Sequence, residues 1–304
     1  DIFSKACISS SDHVFLPTLD WLMLRAIYIL QKQTPLANWP SIHAELMFDE
    51  ANWMTGGYPY NKIIAKLIRL KNNTRKLFVY TEISAHALYA SQKLNFNVSV
   101  YPYPAFPIQQ DNEQLDHEAN DKIIVGVLGG GRRDKGFDLL PDIIETFNVR
   151  CGNDTEVIFV IQKPRLQERL EVELEKLAQH KNVRFLDDKI PSSEFEDNFK
   201  SCSILLLPYT STYKLRGSGI AVEALANGIP VVCSENTGLV DVITHENGKQ
   251  AKTVSEFSDA LLCIVSDIGV YKKRAEIASA DYLNRILNNP VVCQIKALSR
   301  QEIT

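Results

Sequence analysis

Residues 209–234, YTSTYKLRGSGIAVEALANGIPVVCS, decide how this chain folds. Apolar residues recur at helical spacing from Ile220 to Ala226, and Ser218 just before them has a hydroxyl that can cap the first turn. β-branched residues follow the break at Gly228 and predict a strand. A helix that begins beside glycines leaves backbone N–H groups unpaired and carries the positive end of its dipole. The segment therefore predicts a helix start that can hold a phosphate without a metal.

Polar and charged residues surround this predicted helix start. Arg216 supplies a second source of positive charge beside the two glycines, Gly217 and Gly219. Glu223 follows within the same helix, where its carboxylate can accept hydrogen bonds from vicinal hydroxyls of a ribose or a sugar. The residues predict a site for a molecule that carries both phosphate and sugar.

The pattern RGSGIAVEALANGIPVV, residues 216–232, resembles the donor-binding segment of retaining GT-B glycosyltransferases of the family 4 type. Their paired-glutamate signature is E, seven residues, E; Glu223 matches the second glutamate, and Leu215 occupies the position of the first. In the family the first glutamate usually contacts the transferred sugar, so Leu215 leaves the identity of that sugar undetermined. The alternative is a βα unit of some other doubly wound protein. The resemblance implies a donor-binding set of Arg216, Gly217, Ser218, Gly219, Ile220 and Glu223.

A glycine-rich loop, GGGRRDKG at 129–136, follows the continuous apolar strand predicted at 122–128. It resembles the family's G-x-R…K-G loop, in which an arginine and a lysine hold the diphosphate of a sugar nucleotide. Lys135 matches the lysine, Arg132 and Arg133 both fit the arginine with Arg133 favoured, and Gly130 and Gly131 let the backbone approach the ligand. The alternative is a tight turn with solvent-exposed charges. The resemblance also places the nucleotide base near the loops at 162–164 and 187–190.

Strands and helices alternate along the chain, which predicts an α/β fold with parallel sheets. The resemblance implies GT-B architecture, two Rossmann-like domains that face a cleft. It also implies that the N-terminal domain lacks its first strands and their glycine-rich loop. The predicted parts are an N-terminal, acceptor-side domain (1–107), a proline-rich and acidic linker (108–121), a nucleotide-sugar-binding domain (122–280) and a C-terminal helix that packs back toward the N-terminal domain (281–304).

Composition bounds the class of protein. The chain has 304 residues, 45% of them hydrophobic, which is enough for two cores, and its net charge of -4 argues against nucleic-acid binding. Six scattered cysteines without a C-x-x-C pair indicate reduced thiols in a cytoplasmic protein. The sequence has no apolar run of about 18 residues, so it predicts no membrane-spanning helix.

The N-terminal half carries the candidates for acid or base chemistry. A strand from Ser41 runs into an acidic loop, and carboxyl ends of strands face the ligand crevice in α/β folds. His43, Glu45 and Asp49 are therefore the candidate catalytic residues. The alternative is an ordinary half-buried histidine with carboxylates that solvate a loop. Aromatic residues near this loop are candidates for stacking on sugar rings, or for packing the domain edge: Trp39, Trp53, Tyr58 and Tyr60.

Residues 60–76, YNKIIAKLIRLKNNTRK, form a basic segment without an acidic residue and with an apolar stripe at helical spacing. Such a helix can rest on an anionic membrane at the inner face, which suits a lipid-linked acceptor. The alternative is a surface helix whose stripe faces its own sheet.

The chain contains no D-x-D triplet of the kind that holds a divalent cation on a diphosphate, so no metal and no cofactor are expected. The resemblance implies a retaining hexosyl-type transferase that uses UDP- or GDP-sugar, acts on a glycan or lipid-linked acceptor in polysaccharide or glycoconjugate assembly, and works by front-side displacement. Two other classes remain open, a non-catalytic GT-B-like binding or scaffold subunit and a sugar-nucleotide epimerase.

Overall fold

The computed structural model describes residues 8–33, 35–47, 60–101, 103–108, 122–151, 156–289 and 291–293. Three residues singled out from the sequence, Asp49, Trp53 and Tyr58, lie outside the described residues, as does most of the predicted linker. The chain divides into two compact units. The first comprises Asp1–Tyr103, Leu215–Gly217 and Arg285–Thr304, and the second comprises Pro104–Lys214 and Ser218–Asn284.

The first unit contains a four-stranded sheet in the order β1-β2-β3-β4, and every described pair of strands is parallel. Glu45 ends β2 opposite Tyr80 of β3, so both residues lie at the carboxyl edge of the sheet. The strands are β1 (His13–Leu16), β2 (Ser41–Glu45), β3 (Leu77–Thr81) and β4 (Ser99–Val100). The α-helices are α1 (Trp21–Gln33), α2 (Tyr60–Asn73) and α3 (Ser84–Leu94).

The second unit contains a six-stranded parallel sheet in the order β10-β9-β8-β5-β6-β7. The chain runs outward from β5 through β7 and then restarts on the other side at β8. The strands are β5 (Ile123–Val127), β6 (Val157–Gln162), β7 (Val183–Leu186), β8 (Ile204–Leu207), β9 (Val231–Ser234) and β10 (Gly248–Ala251). In open sheets of this kind, ligands bind outside the carboxyl ends of the strands where the order reverses. That place is the gap between β5 and β8.

Helices cover this sheet and bury continuous apolar strands such as β8, in which all four residues are buried. The α-helices are α4 (Leu140–Cys151), α5 (Glu171–Leu177), α6 (Ser192–Ser201), α7 (Gly219–Ala226), α8 (Val254–Ser266) and α9 (Ile268–Leu287). The expected fold class, α/β with two Rossmann-like parallel-sheet domains of the GT-B kind, is confirmed. Within the described part of the chain, no helix combines the length and the apolar character needed to cross a membrane.

Local details of the structure go beyond what the sequence predicts. Residues 166–179 do not form one helix, because the chain breaks at Arg169, whose φ of 53° is left-handed. Thr81 at the end of β3 donates its hydroxyl to the carbonyl of Ile83, and α3 begins at Ser84. Trp39 is fully buried in the first core and offers no exposed face to a sugar. The last strand, β10, was not predicted because its sequence, GKQA, has almost no apolar residue.

Candidate functional site

The two segments singled out from the sequence lie side by side in the second unit. The glycine loop follows β5 and α7 follows β8, and these strands are neighbours in the sheet. A Cβ placed on Gly129 would lie 3.0 Å from Cγ1 of Ile220, so the loop touches the first turn of α7. Both segments therefore meet at the carboxyl edge where the strand order reverses.

Gln162 at the end of β6 organises the glycine loop. Its Oε1 accepts hydrogen bonds from the N–H groups of Gly129 (2.9 Å) and Gly130 (2.8 Å), while its Nε2 donates to the carbonyl of Asp188 (3.3 Å). Gly129 and Gly130 have φ values of 93° and 76°, which other residues rarely adopt. A Cβ on Gly130 would meet no atom within 4 Å. The loop is therefore rigidly held, and its outer face is open to a ligand.

Lys135 places its charge at the base of this loop. Its ammonium donates to the carbonyl of Gly129 (2.6 Å) and lies 5.6 Å from the centroid of the Tyr209 ring. Tyr209 is buried, and burial raises the pKa of its hydroxyl, so the ring faces Lys135 as a neutral phenol.

The start of α7 has the anion-binding features that its sequence predicts. The Ser218 hydroxyl caps the helix by accepting a hydrogen bond from the N–H of Ala221 (3.4 Å). The N–H groups of Gly219 and Ile220 have no acceptor among the described residues, and a Cβ on Gly219 would meet no atom within 4 Å. Two unpaired donors thus lie at the positive end of the helix dipole, and the space beside Gly219 is open. The buried alanines behind them fix the helix against the sheet.

The two candidate arginines make different contacts. Arg132 forms two hydrogen bonds with the carboxylate of Asp134 (2.8 and 3.0 Å), which raise its pKa, and a third with the hydroxyl of Tyr213 (2.7 Å). Arg133 donates to the carbonyl of Arg169 (3.1 Å). It also lies 3.5 Å from a carboxylate oxygen on α5. The choice of Arg133 as the diphosphate ligand stays a prediction.

Three further candidates lie before and within α7. Arg216 and Gly217 belong to the first unit, where the Gly217 N–H donates to the carboxyl group of Glu82. Burial raises the pKa of Glu82, while the bond to Gly217 and the charge of Arg216 lower it. Glu223 is half-buried, and burial raises its pKa as well. Glu82 was not among the predicted site residues, and only its position directly after β3 pointed to it.

Glu45 is a buried carboxyl group in the first unit. Its side chain is 4% exposed, and its Oε1 has no hydrogen-bond partner among the described residues. Burial, and secondarily the charge of Glu82, raises the pKa of Glu45 to about 8. Glu45 therefore carries its proton at neutral pH, which is the state that a proton donor needs.

His43 is fully buried and both of its ring nitrogens are engaged. Nε2 lies 2.9 Å from Nδ1 of His13, and Nδ1 lies 3.0 Å from the hydroxyl of Tyr80. The ring also stacks on Phe78 with a centroid distance of 5.0 Å. Burial lowers the pKa of His43 to about 4, so it is neutral at pH 7. These contacts suit a packed core histidine, and its catalytic role stays a prediction, as does that of Asp49.

A cleft of 260 Å³ lies beside the glycine loop, at the two loops that the resemblance assigns to the nucleotide base. Gly131 bridges to Pro164, so the cleft continues directly from the loop. Its lining includes Lys163, Pro164, Leu170, Asp187 and Asp188. The Lys163 ammonium lies 3.2 Å from the Asp187 carboxylate across the cleft mouth. The lining thus combines apolar side chains with charged ones, which also include Arg165 and Glu171.

The basic segment at 60–76 buries its described apolar residues in its own unit. Leu67 and Leu70 of α2 belong to the first core, and Lys71 donates to the carbonyl of Leu77 (2.7 Å). Exposed basic side chains remain at Lys62, Arg69 and Arg75. Membrane contact by this segment stays a prediction, and these three side chains are the ones that would make the contact.

Among the described residues, no three histidine, cysteine, aspartate or glutamate side chains are grouped so that they could hold a metal ion. The described cysteines are free thiols, and Cys202 and Cys233 are buried.

Comparison with known proteins agrees with this geometry. Residues 122–267, which contain the glycine loop and α7, match the family model described as Glycosyl transferases group 1. The match supports a glycosyltransferase. A search of curated protein sequences finds no match.

Solved structures that resemble the chain share its fold at low identity. Sucrose-phosphate synthase from Thermosynechococcus elongatus is 15% identical with a TM-score of 0.66, covering 96% of this chain and 73% of that chain. Trehalose 6-phosphate synthase from Burkholderia multivorans is 13% identical with a TM-score of 0.69, covering 98% and 72%. Anabaena Alr3699/HepE, solved with UDP and glucose, is 15% identical with a TM-score of 0.64, covering 96% and 76%. At these identities the likeness shows the fold alone, and that fold is of the GT-B kind.

Proposed function

We propose that the protein transfers a hexosyl unit from a UDP- or GDP-sugar to a glycan or lipid-linked acceptor, with retention and without a metal, in polysaccharide or glycoconjugate assembly. The observation that carries the proposal is the contact between the glycine loop and the start of α7. It brings the ammonium of Lys135 and the unpaired N–H groups of Gly219 and Ile220 to one edge of one sheet.

The diphosphate is the part of the donor that this edge suits best. The N–H groups of Gly129 and Gly130 already bind Gln162, so the loop contributes shape and the donors come from α7 and Lys135. Fixed donors of this kind stabilise the nucleoside diphosphate as negative charge develops on it when the glycosidic bond breaks. Leaving-group stabilisation by cations and a helix start takes the place that a divalent cation fills in metal-dependent transferases.

The remaining parts of the donor have candidate partners nearby. The cleft beside Pro164 suits the nucleotide base, and the Glu223 carboxyl group is a candidate acceptor for hydroxyls of the ribose or the sugar. Leu215 cannot make the polar contact of the family's first glutamate, so recognition of the transferred sugar differs from the family pattern. The UDP bound to the Anabaena protein makes UDP the first nucleotide to test.

Proton transfer in this proposal falls to Glu45. It is protonated near neutral pH and has an oxygen without a partner among the described residues, whereas both nitrogens of His43 are engaged. A positioned acid with a pKa near the working pH is the efficient arrangement for proton transfer. The proposal places the protein in the cytoplasm, where a lipid-linked acceptor would meet it at the inner membrane face through the exposed basic residues of α2.

The test is a binding and turnover screen with UDP, GDP, ADP and their sugars. Calorimetry measures binding, and chromatography of the nucleotide measures hydrolysis or transfer. Turnover of one donor, with loss of binding in Lys135→Ala, supports the proposal; no nucleotide binding at millimolar concentration overturns it. Binding without turnover favours a scaffold subunit, which Leu215 specifically suggests, and conversion of the donor sugar without an acceptor favours an epimerase.

A further inference from the structure

A second cleft lies at the open edge of the second unit's sheet. Its volume is 560 Å³, within the range of small-molecule sites, and it is formed by the loop before β10, by β10 itself and by α9. Strand β9 separates β10 from β8, and no described lining residue belongs to the glycine loop, to α7 or to the base cleft. The side chains that line this edge cleft are Thr244, His245, Lys249, Gln250, Tyr271 and Arg274.

Two cations flank one buried aromatic ring in the edge cleft. The Lys249 ammonium lies 5.9 Å from the centroid of the Tyr271 ring, and Cζ of Arg274 lies 5.8 Å from the same centroid. Tyr271 is only 7% exposed, and its hydroxyl lies 3.5 Å from Sγ of Cys263. The buried ring is thus a fixed point beside which both charges lie. A hydrogen bond with Tyr271 raises the pKa of Lys249, so the ammonium stays charged.

The positive charge of the edge cleft is not balanced by its described surroundings. Neither Lys249 nor Arg274 forms an ion pair with a described residue, and no described lining residue is a carboxylate. The carboxylate of Glu246, in the loop before β10, pairs with His245 at 2.8 Å. A concave surface lined by one sign of charge concentrates ions of the opposite sign.

The neutral polar residues of the edge cleft already have partners. The Gln250 amide donates to the carbonyl of Ile243 (2.7 Å), and the Thr244 hydroxyl lies within hydrogen-bond distance of Asn247 (3.4 Å). These bonds hold the wall of the cleft in shape, so recognition falls to the two cations. A guanidinium binds phosphate oxygens in pairs and an ammonium adds a compact charge, which together suit a doubly charged phosphate group.

We propose that the edge cleft binds a small phosphorylated molecule through a phosphomonoester held by Lys249 and Arg274. Both cations lie within 6 Å of the centroid of the Tyr271 ring and line the same cleft, so one small phosphorylated molecule in the cleft meets both. The cleft volume leaves room for an attached sugar-sized group. This site is separate from the donor site and does not depend on the transferase proposal.

Calorimetric titration with glucose 6-phosphate and inorganic phosphate, with glucose as the uncharged control, tests the proposal. The variant Lys249→Ala with Arg274→Ala should weaken binding of both phosphates by about tenfold or more, because it removes charge-assisted hydrogen bonds. The matched control, Lys272→Ala with Lys273→Ala, removes the same charge from exposed neighbours on α9 and should bind as the wild type does. The Lys135→Ala variant, altered at the donor site, should also retain this binding.

Three outcomes would overturn the proposal. The Lys249 and Arg274 variant could bind phosphate as tightly as the wild type, or the Lys272 and Lys273 control could lose as much affinity as that variant. The third outcome is that neither phosphate binds to the wild type at millimolar concentration. Thermal unfolding of each variant shows whether it is folded. If the double variant is not folded, the single variant Arg274→Ala, which changes an exposed side chain, replaces it in the titration. Vesicles that contain phosphatidate present the same phosphomonoester on a lipid. If the protein sediments with these vesicles and the Lys249 and Arg274 variant does not, the ligand is a lipid headgroup. If the wild type does not sediment with them, the ligand is a free phosphorylated metabolite.

Discussion

The ammonium nitrogen of Lys135 lies 2.6 Å from the carbonyl oxygen of Gly129, six residues earlier in the chain. The lysine thus closes the base of the glycine loop without a ligand and keeps its charge beside the first turn of α7, where Ile220 approaches Gly129. Because the same side chain supports the loop and supplies charge, we expect nucleotide binding to be sensitive to its loss.

Replacing Lys135 with alanine should weaken UDP or GDP binding by about tenfold to a hundredfold, since a charge-assisted hydrogen bond to phosphate contributes about 1.5–3 kcal/mol. Calorimetry with the nucleoside diphosphate measures the change. Lys176→Ala, at an exposed lysine of α5, is the matched control and should bind normally. Unchanged affinity in the Lys135 variant would mean that this lysine does not contact the nucleotide.

Gly136 and Gly130 should respond differently to alanine, although both have positive φ values, 69° and 76°. A Cβ on Gly136 would collide with the backbone oxygen of Pro208, so Gly136→Ala should lower the free energy of unfolding by about 3 kcal/mol or more. A Cβ on Gly130 meets open space, so only the backbone strain of about 1–2 kcal/mol remains.

Chemical denaturation measures both stabilities. Gly130→Ala should also weaken nucleotide binding, because its methyl group occupies the open face of the loop. Similar stability losses in the two variants would contradict the geometry of this loop.

The stability of the first unit should depend on the proton of Glu45. The folded state raises the pKa of this group from 4.5 to about 8, so the folded state holds the proton more tightly. Its contribution to stability is fully present below pH 4.5 and is lost as pH rises through 8. Glu45→Gln cannot ionise and should remove this loss, which thermal unfolding between pH 5 and about 9 measures.

The matched control for this measurement is the same change at an exposed glutamate of α6, Glu194→Gln. His43 acts in the opposite direction, because its pKa falls from 6.5 to about 4 and its contribution is lost as pH falls through that range. The Glu45→Gln variant should therefore show a stability that rises with pH between 4 and 6.5. A profile identical to the wild type would mean that Glu45 is ionised at neutral pH.

The caps of α7 and α8 offer a matched pair of substitutions. Ser218 caps α7 and Thr253 caps α8 through its bond with the N–H of Glu256 (3.3 Å). Each change to alanine should cost about 1 kcal/mol of stability. Only Ser218→Ala should also weaken nucleotide binding, since it frays the turn that carries the free N–H groups. If both variants bind the nucleotide equally well, the start of α7 does not take part in nucleotide binding.

The exposed basic residues of α2 and its following turn should govern any binding to anionic membranes. Alanine at Lys62, Arg69 and Arg75 together should weaken sedimentation with phosphatidylserine vesicles, by about fivefold for each charge in contact. Lys272→Ala with Lys273→Ala provides a control on the other unit. If the wild type does not sediment with these vesicles, the membrane prediction for 60–76 is wrong.

The sequence was most informative where local chemistry decides local structure. The helix over Gly219–Ala226 and its Ser218 cap could be predicted because apolar spacing and a capping hydroxyl act within one turn. β10 could not, because a polar edge strand gains its stability from pairing with β9, which no short-range pattern encodes. The sequence left Trp39 open between sugar stacking and packing for a related reason, since burial depends on distant partners in the fold.

The site was predicted as a set of segments rather than as contacts. The loop and helix start were found from glycines and charge, but the role of Gln162 in holding the loop was not. Its amide acts through two hydrogen bonds to residues more than thirty positions away. Likewise the buried state of Glu45 and the engaged nitrogens of His43 follow from tertiary packing, which separates two residues that the sequence treats alike.

The reversal of strand order between β5 and β8 has a consequence for how the chain acquires its activity. The glycine loop leaves the ribosome well before α7 does, and three intervening units must be placed before the two can touch. Bringing together two segments that are so far apart in the chain costs conformational entropy, and only the contacts of the completed sheet offset this cost. A nucleotide that binds both segments would therefore act as a pharmacological chaperone, selecting molecules in which that closure is complete.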